Sequence, residues 1–537
     1  MNPDRLIYRS GPQDRRFTLP LYFVWLALVI YLAVHHAVWR DEVRALSFAL
    51  QGHNIFDMFK GLRGDGHPVI WYLMLRGSHA IYDTPRVLQI VSLVVAAMAM
   101  LILLMRSSFN LFILTLLCAS RFAIYEYSVM ARNYGISMLL IFLLAVFYKR
   151  RRENGLLLGG LLFLLANSNA HSVLLVAAFL IFWLFDLYFN PPAAPSLARK
   201  TYWLNAAIAV VGCILCAVTI LPTINDAAKM DPADRPHALG LGRAVVFSAE
   251  PFVSVVPFNA TKNHMHAVLV AHPHLERLPL FFFSLIIFGS TLGLARRPAA
   301  LIAAWTALAS LILFFSILYP GDYRHVGLWL VFLVTLYWIA GDNPVTPPRF
   351  MLKNAKALQW TTTAGYLCFI LLLSFQAAFG LSVIKPILFN TLPESRTRDL
   401  AALISSNPYL HDATVIGDPD FLVEALPYYL PNPTYLMHEQ RYGRIVIFTS
   451  HATLKLSLSD ILANANAIHA RTGKPVIILL KDRLDTVTGP QRLKEGYDWI
   501  LTTTPEEVQT FKSQTRLLSH FGPVTERDET FDAYVIG

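Results

Sequence analysis

Residues 39–75 read WRDEVRALSFALQGHNIFDMFKGLRGDGHPVIWYLML and follow directly on the first long apolar segment of the chain. Asp41 and Glu42 stand side by side where that segment ends, and Asp57, Lys60, Arg63, Asp65 and His67 follow before the apolar run resumes at Pro68. So many ionisable groups between two membrane-grade segments are costly to hold against lipid, so this stretch is expected to face a polar cavity. An ordinary wet loop is the competing reading, because solvated charge is the usual state of Asp, Glu, Lys and Arg. The rest of the chain decides between them.

Of 537 residues, 55% are hydrophobic and 15% charged, and the mean hydropathy is +0.48. Those values lie outside the soluble globular range and predict a polytopic, α-helical membrane protein. The formal net charge is +10, but the basic residues cluster in short spacers between apolar runs. Topology accounts for that pattern, and no nucleic-acid partner is expected. Arg5, Arg9, Arg15 and Arg16 precede an apolar segment of about twenty residues with no small-residue cleavage site after it, the pattern of a retained anchor. Cys118, Cys213, Cys216 and Cys368 all lie inside apolar runs. No disulfide framework follows from them, and Cys213-x-x-Cys216 reads as helix packing rather than redox chemistry.

Apolar segments predict eleven membrane helices, near 18–38, 87–105, 109–126, 134–148, 155–170, 172–189, 203–222, 278–295, 299–319, 325–340 and 361–383. The run 68–82 is short and carries Arg76 and His79, so it is expected to be a juxtamembrane or re-entrant helix. With that choice Arg106, Lys149–Arg152, Arg199–Lys200, Arg296–Arg297, Arg349, Lys353 and Lys356 all fall on the cytoplasmic side. Counting 68–82 as a span would put the Lys149–Arg152 cluster outside. Loop 39–86 is basic yet placed outside, an exception for which phosphate binding would be a reason. The outer face then receives loop 39–86, the turn Glu126–Asn133, the long loop 223–277, the turn Pro320–Arg324 and everything after Val383.

From Ile384 to Gly537 the composition becomes that of a soluble domain. Apolar runs at 413–417, 445–449 and 476–480 alternate with helix-like stretches such as 459–472, which predicts a small parallel sheet of α/β type. The expected division is therefore 1–383, membrane-embedded, and 384–537, outside the cytoplasm. Asp418 and Asp420 follow the first of these strands, where open α/β sheets bind ligands; a plain turn built from GDPD is the alternative.

The layout resembles the GT-C superfamily of membrane glycosyltransferases, which includes the protein O-mannosyltransferases, the aminoarabinose transferases of lipid A and the catalytic subunit of oligosaccharyltransferase. The resemblance spans roughly residues 18–340 and rests on short motifs. It begins with the acidic pair Asp41-Glu42 after the first helix. The run from His67-Pro68 is similar to a surface-lying amphipathic helix of that family, and the turn Asp83-Thr84-Pro85-Arg86 leads the next span inward. Glu126 to Tyr134 is similar to a second outer turn with an acid and an Arg, here Glu126 and Arg132. Tyr323-Arg324-His325 stands where such proteins often carry Arg-Tyr. This chain departs from the pattern twice, with Arg-His in place of Arg-Tyr, and His-Pro where the aminoarabinose enzymes have Lys-Pro-Pro.

The resemblance implies a sugar on a polyprenyl-phosphate donor, inversion at the anomeric carbon, and a lipid, glycan or protein acceptor. The chemistry asks for the same residue types independently. An acceptor hydroxyl is a poor nucleophile until a carboxylate takes its proton, a task for Asp41. The departing phosphate gathers negative charge, which cationic donors stabilise strongly in a low-dielectric site. Arg132 and Arg324 are the first candidates, with His67, Lys60, Arg63, His171 and His325 behind them. His171 in the NSNAHS stretch reads better as a helix-end histidine with no special role. Glu126 is either a second acid or the partner of Arg132, and Glu42 is the neighbouring carboxylate. The superfamily differs in its use of a divalent cation, for which Asp41 with Glu126 is the candidate pair. His264-x-His266 and His272-x-His274 suit a metal in isolation but read better as solvated loop histidines. A transporter or flippase, which would line a path with mid-span ionisable groups, and an inactive scaffold are the rivals.

Overall fold

The computed structural model describes residues 3–9, 16–62, 65–153, 155–221, 277–317, 321–496, 499–525 and 527–537. Backbone that must cross hydrocarbon has to satisfy its own hydrogen bonds, so the apolar runs are helical throughout. In chain order they are α1 (Thr18–His35), α2 (Arg40–Leu50), α3 (Ile55–Gly61), α4 (Ile70–Ile81), α5 (Val87–Arg106), α6 (Leu111–Ala119) and α7 (Tyr134–Phe147). There follow α8 (Leu157–Ala166), α9 (Ser172–Phe189), α10 (Pro195–Ile220), α11 (Arg277–Thr291), α12 (Pro298–Ile317), α13 (Tyr323–Asp342) and α14 (Ala355–Ser382). Seven of these, among the described residues, are long and apolar enough to cross a membrane: α1, α5, α9, α10, α12, α13 and α14. The chain is a multi-pass membrane protein.

The expected count of eleven full spans is not reproduced. Every expected segment is helical, but the segment 109–126 breaks after nine residues, and α8 stops after ten. The first break has a packing cause. A Cβ on Gly380 of α14 would stand 2.0 Å from the Ala119 carbonyl oxygen, so α14 crosses where the backbone of α6 turns aside. Residues Phe122–Glu126 then form a π turn, with the Tyr127 amide bonded to the Phe122 carbonyl at 3.0 Å. The end of α8 is set by the polar stretch after it, where the Asn169 amide donates to Ser137 Oγ at 2.6 Å and the Asn133 amide to the Ser168 carbonyl at 2.7 Å.

The run 68–82 is the twelve-residue helix α4, too short to span, as its length required. Loop 39–86 is thus three short helices rather than an open loop.

After α14 the chain forms a mixed α/β unit. Its six-stranded sheet runs β3 (Arg441–Tyr442), β2 (Thr434–Leu436), β1 (Thr414–Asp418), β5 (Val476–Leu480), β9 (Phe531–Ile536), β8 (Arg516–Phe521). Only β2, β1 and β5 are mutually parallel; β3, β9 and β8 pair antiparallel. The all-parallel expectation fails because β9, whose apolar run Ala533–Ile536 follows a polar stretch near the end of the chain, pairs antiparallel with β5 and brings the more polar β8 beside it. A second sheet joins β4 (Lys455–Ser457), β7 (Trp499–Thr503) and β6 (Gln491–Gly496).

Candidate active site

Trp39 is extended and Arg40 begins α2, so Asp41 and Glu42 both fall in the first helical turn, where the helix dipole favours carboxylates. Successive residues point about 100° apart, and the two acids part company completely. The Glu42 side chain is 0% exposed. One of its oxygens accepts from the Trp39 amide at 3.1 Å and from His36 Nε2 at 2.9 Å, and the other accepts from the Ala131 amide at 2.6 Å. It fixes the start of α2 to the turn before α7, with both oxygens engaged in hydrogen bonds and the side chain closed to solvent. Asp41 keeps 25% of its side chain open.

Asp41 Oδ2 accepts from Arg132 Nη1 and lies 3.8 Å from Arg324 Nη2. Arg324 also reaches Asp322 at 3.2 Å, and its guanidinium stands 5.7 Å from the Trp39 ring centroid. Arg132 Nη2 approaches His67 Nε2 at 3.4 Å. Burial by itself raises the Asp41 pKa, but Arg132, Arg40 and Arg324 reverse that and hold the carboxyl well below the usual range. The His171 and His325 rings lie 4.7 Å apart, and His325 Nδ1 accepts from the Asp322 amide at 2.9 Å, which leaves its proton on Nε2. Burial, aided by Arg132 against the opposing pull of Asp65, lowers the His67 pKa. Burial pushes His171 down to about 3. Arg132, Arg324 and Arg40 therefore converge on the Asp41 carboxylate, with His67 against Arg132.

The α/β unit holds α2 from the other side. Arg40 Nε is 3.6 Å from Asp41 and 3.4 Å from Glu529, and its guanidinium lies 4.4 Å from the Phe421 ring. Burial pushes Glu529 up to about 7 against the opposing charge of Arg40. One turn on, Arg44 pairs with Asp65 at 3.0 Å and Glu424 at 2.5 Å and donates to the Val446 carbonyl at 2.8 Å. Tyr72 donates to the same Asp65. No local pattern points from Arg40 to Glu529 or from Arg44 to Glu424, since the partners of α2 lie in the last third of the chain.

Other expected residues lie elsewhere. Glu126 does not pair with Arg132; its Oε1 accepts two bonds from Arg121, both 2.8 Å. With Asp41 on Arg132 and Glu126 on Arg121, this pair does not fit a divalent cation, since guanidiniums already fill the carboxylates. Lys60, on α3, lines a separate cleft together with Arg441 and Arg444. Arg63 and the histidines 264, 266, 272 and 274 lie outside the described residues. Among the described residues no group of three or more His, Cys, Asp or Glu side chains is placed to hold a metal. Asp418 and Asp420 do not open to a ligand. Asp418 Oδ1 and the Thr453 carbonyl take the two nitrogens of His438 at 2.9 and 2.5 Å, and Asp420 accepts from the Met437 and His438 amides.

The fold and site define a class: a multi-pass helical membrane protein whose extramembrane α/β unit clamps a short helix bearing an arginine-bound carboxylate. No protein-family model and no curated protein matches the chain. Among solved structures it is similar to ArnT from Cupriavidus metallidurans bound to undecaprenyl phosphate, at 11% identity over 97% of this chain and 96% of that one, TM-score 0.44. The apo form of that protein matches at 10% identity over 96% of this chain and 97% of that one, also with TM-score 0.44.

Proposed function

We propose that the protein is an inverting glycosyltransferase that moves a sugar from a polyprenyl-phosphate donor to a lipid, glycan or protein acceptor at the outer face of a bacterial inner membrane. The observation that carries this reading is the partly open Asp41 carboxylate shared between Arg132 and Arg324 at the mouth of a helical membrane domain. In the reaction the acceptor oxygen attacks the anomeric carbon, the bond from that carbon to the phosphate oxygen breaks, and the acceptor proton passes to Asp41. The released phosphate carries its charge onto Arg132 and Arg324, which offer bidentate donors in a low-dielectric setting. The neutral imidazoles of His67 and His171 add N–H donors without adding charge.

The resting ion pair has a mechanistic consequence. A carboxylate gripped by two guanidiniums is a weak base, and a donor phosphate needs the same guanidiniums. Donor binding therefore displaces Asp41 from the arginines and restores its basicity just where the acceptor arrives, so the donor binds first. Asp41→Asn keeps the shape but cannot take the proton. It is expected to lower transfer by about 10²–10⁴-fold while donor binding, measured separately by calorimetry, is retained. Turnover within a few-fold of the parent, assayed with a working lipid-linked donor and acceptor, would remove Asp41 from the chemistry and favour a transporter.

A further inference from the structure

A separate recess lies along α2. The residues of α2 that line it are Val43, Leu46, Ser47, Phe48 and Leu50. Asp41 does not line the recess; of the α2 residues that do, Val43, Leu46, Ser47 and Leu50 lie on the face of the helix away from the carboxylate and Phe48 on its side. The recess has a volume of about 870 Å³ and is closed on its far side by Pro427, Tyr428 and the segment Arg441–Ile447 of the α/β unit.

Its chemistry is divided. Leu46, Leu50, Ile445 and Ile447 supply an apolar wall, and Lys60, His79, Arg441 and Arg444 supply positive charge. Arg441 is neutralised by Glu439 at 2.5 Å and His79 faces Asp83 at 3.2 Å. Lys60 and Arg444 have no ion-pair partner among the described residues, and both are exposed. The elements that form the rim also present apolar side chains outward: Phe56 of α3 is 75% exposed and Ile81 at the end of α4 is 90% exposed. Large apolar side chains at such exposure, on short helices beside membrane spans, belong to the boundary between headgroups and acyl chains. Two uncompensated cations over an apolar wall at that level match an anionic headgroup with its acyl chains below.

We infer that this recess is a binding site for an anionic phospholipid, whose headgroup lies between Lys60 and Arg444 and whose chains follow the Leu46–Leu50 and Ile445–Ile447 wall toward the bilayer. The site is built from residues other than those around Asp41, and the inference does not depend on the reaction proposed above.

The test is native mass spectrometry of the full-length protein in detergent, titrated with phosphatidylglycerol, with phosphatidylcholine and with inorganic phosphate. Phosphatidylglycerol is expected to bind in preference to phosphatidylcholine, and Lys60→Gln with Arg444→Gln to weaken it about tenfold or more. Phosphatidylcholine binding should be unaffected by the double change. Leu50→Ser, which removes apolar wall without adding charge, should also weaken phosphatidylglycerol and leave inorganic phosphate unchanged. Equal binding of the two lipids, or equal affinity of parent and double variant for phosphatidylglycerol, would overturn the inference. Phosphate competing as well as the lipid would overturn the membrane source and leave a free-phosphate site. Because the readout is lipid occupancy, Asp41→Asn should behave as the parent, and a protein with no transferase activity would still pass or fail.

Discussion

At the scale of single residues, the fate of two neighbouring acids shows what a sequence can carry. Both stood where chemistry was expected, and only their orientation separates them: Glu42 spends its oxygens on Trp39, His36 and Ala131, whereas Asp41 meets Arg132 and Arg324. Arg324 illustrates the same division, since its place at the outer start of α13 was visible but its reach to Asp41 was not. Its guanidinium is held by Asp41, Asp322 and the Trp39 face, so it is positioned before any donor arrives. Arg324→Ala is expected to reduce kcat/KM for the donor on the order of a hundredfold, with insertion and melting temperature little changed. A lysine there should recover only part of the loss, because a point charge lacks the planar fork. Unchanged donor affinity and turnover in the alanine variant would make Arg324 an ordinary charge at a helix end.

At the scale of elements, the apolar periodicity fixed where helices lie but not what joins them. Arg151 and Arg297 were read as topological charges on the cytoplasmic side. Both are buried, and both converge on Asp186 of α9, at 2.9 and 2.8 Å, with Tyr148 donating to the same carboxylate at 2.8 Å. The network ties the end of α7, the end of α9 and the start of α12. A lone acid near the end of an apolar run was the one signal for it, and no local pattern names partners 35 and 111 residues away. Removing one member of a buried ion network leaves charge uncompensated and typically costs about 3–5 kcal/mol. Asp186→Asn is therefore expected to lower the melting temperature in detergent sharply and to reduce accumulation, whereas Arg152→Gln, at the exposed neighbour, should do neither. An Asp186→Asn protein as stable as the parent would mean the two arginines are solvated in the membrane and the latch contributes nothing. The strands fall into the same account: β1 and β5 are buried apolar runs, and β9 is buried on both faces in the two cores of the unit, while the largely exposed β8 is held at the edge by its pairing with β9.

At the scale of the whole molecule, the contacts fix the site and the α/β unit on one side of the bilayer. Arg398 donates to the His35 carbonyl at 2.9 Å, Tyr429 to the Val38 carbonyl at 2.7 Å and Tyr428 to Gln89 at 2.8 Å, besides the pairs of Arg40 and Arg44. A lipid-linked donor reaching Asp41 and the last 150 or so residues of the chain must therefore share a compartment, whichever it is. The positive-inside pattern of the basic spacers makes the outside the expected side for both, with the Lys149–Arg152 cluster toward the cytoplasm. A reporter active only in the periplasm, fused after Gly537, is expected to be active. In the same cells a cysteine at Asp83, which is 93% exposed in its side chain, should react with a membrane-impermeant thiol reagent. The native cysteines add little background, because all four sit within apolar helices. If the two probes report opposite sides, the clamp on α2 does not exist in the membrane; if both report the cytoplasm, the clamp stands and the donor must be presented from the inner leaflet.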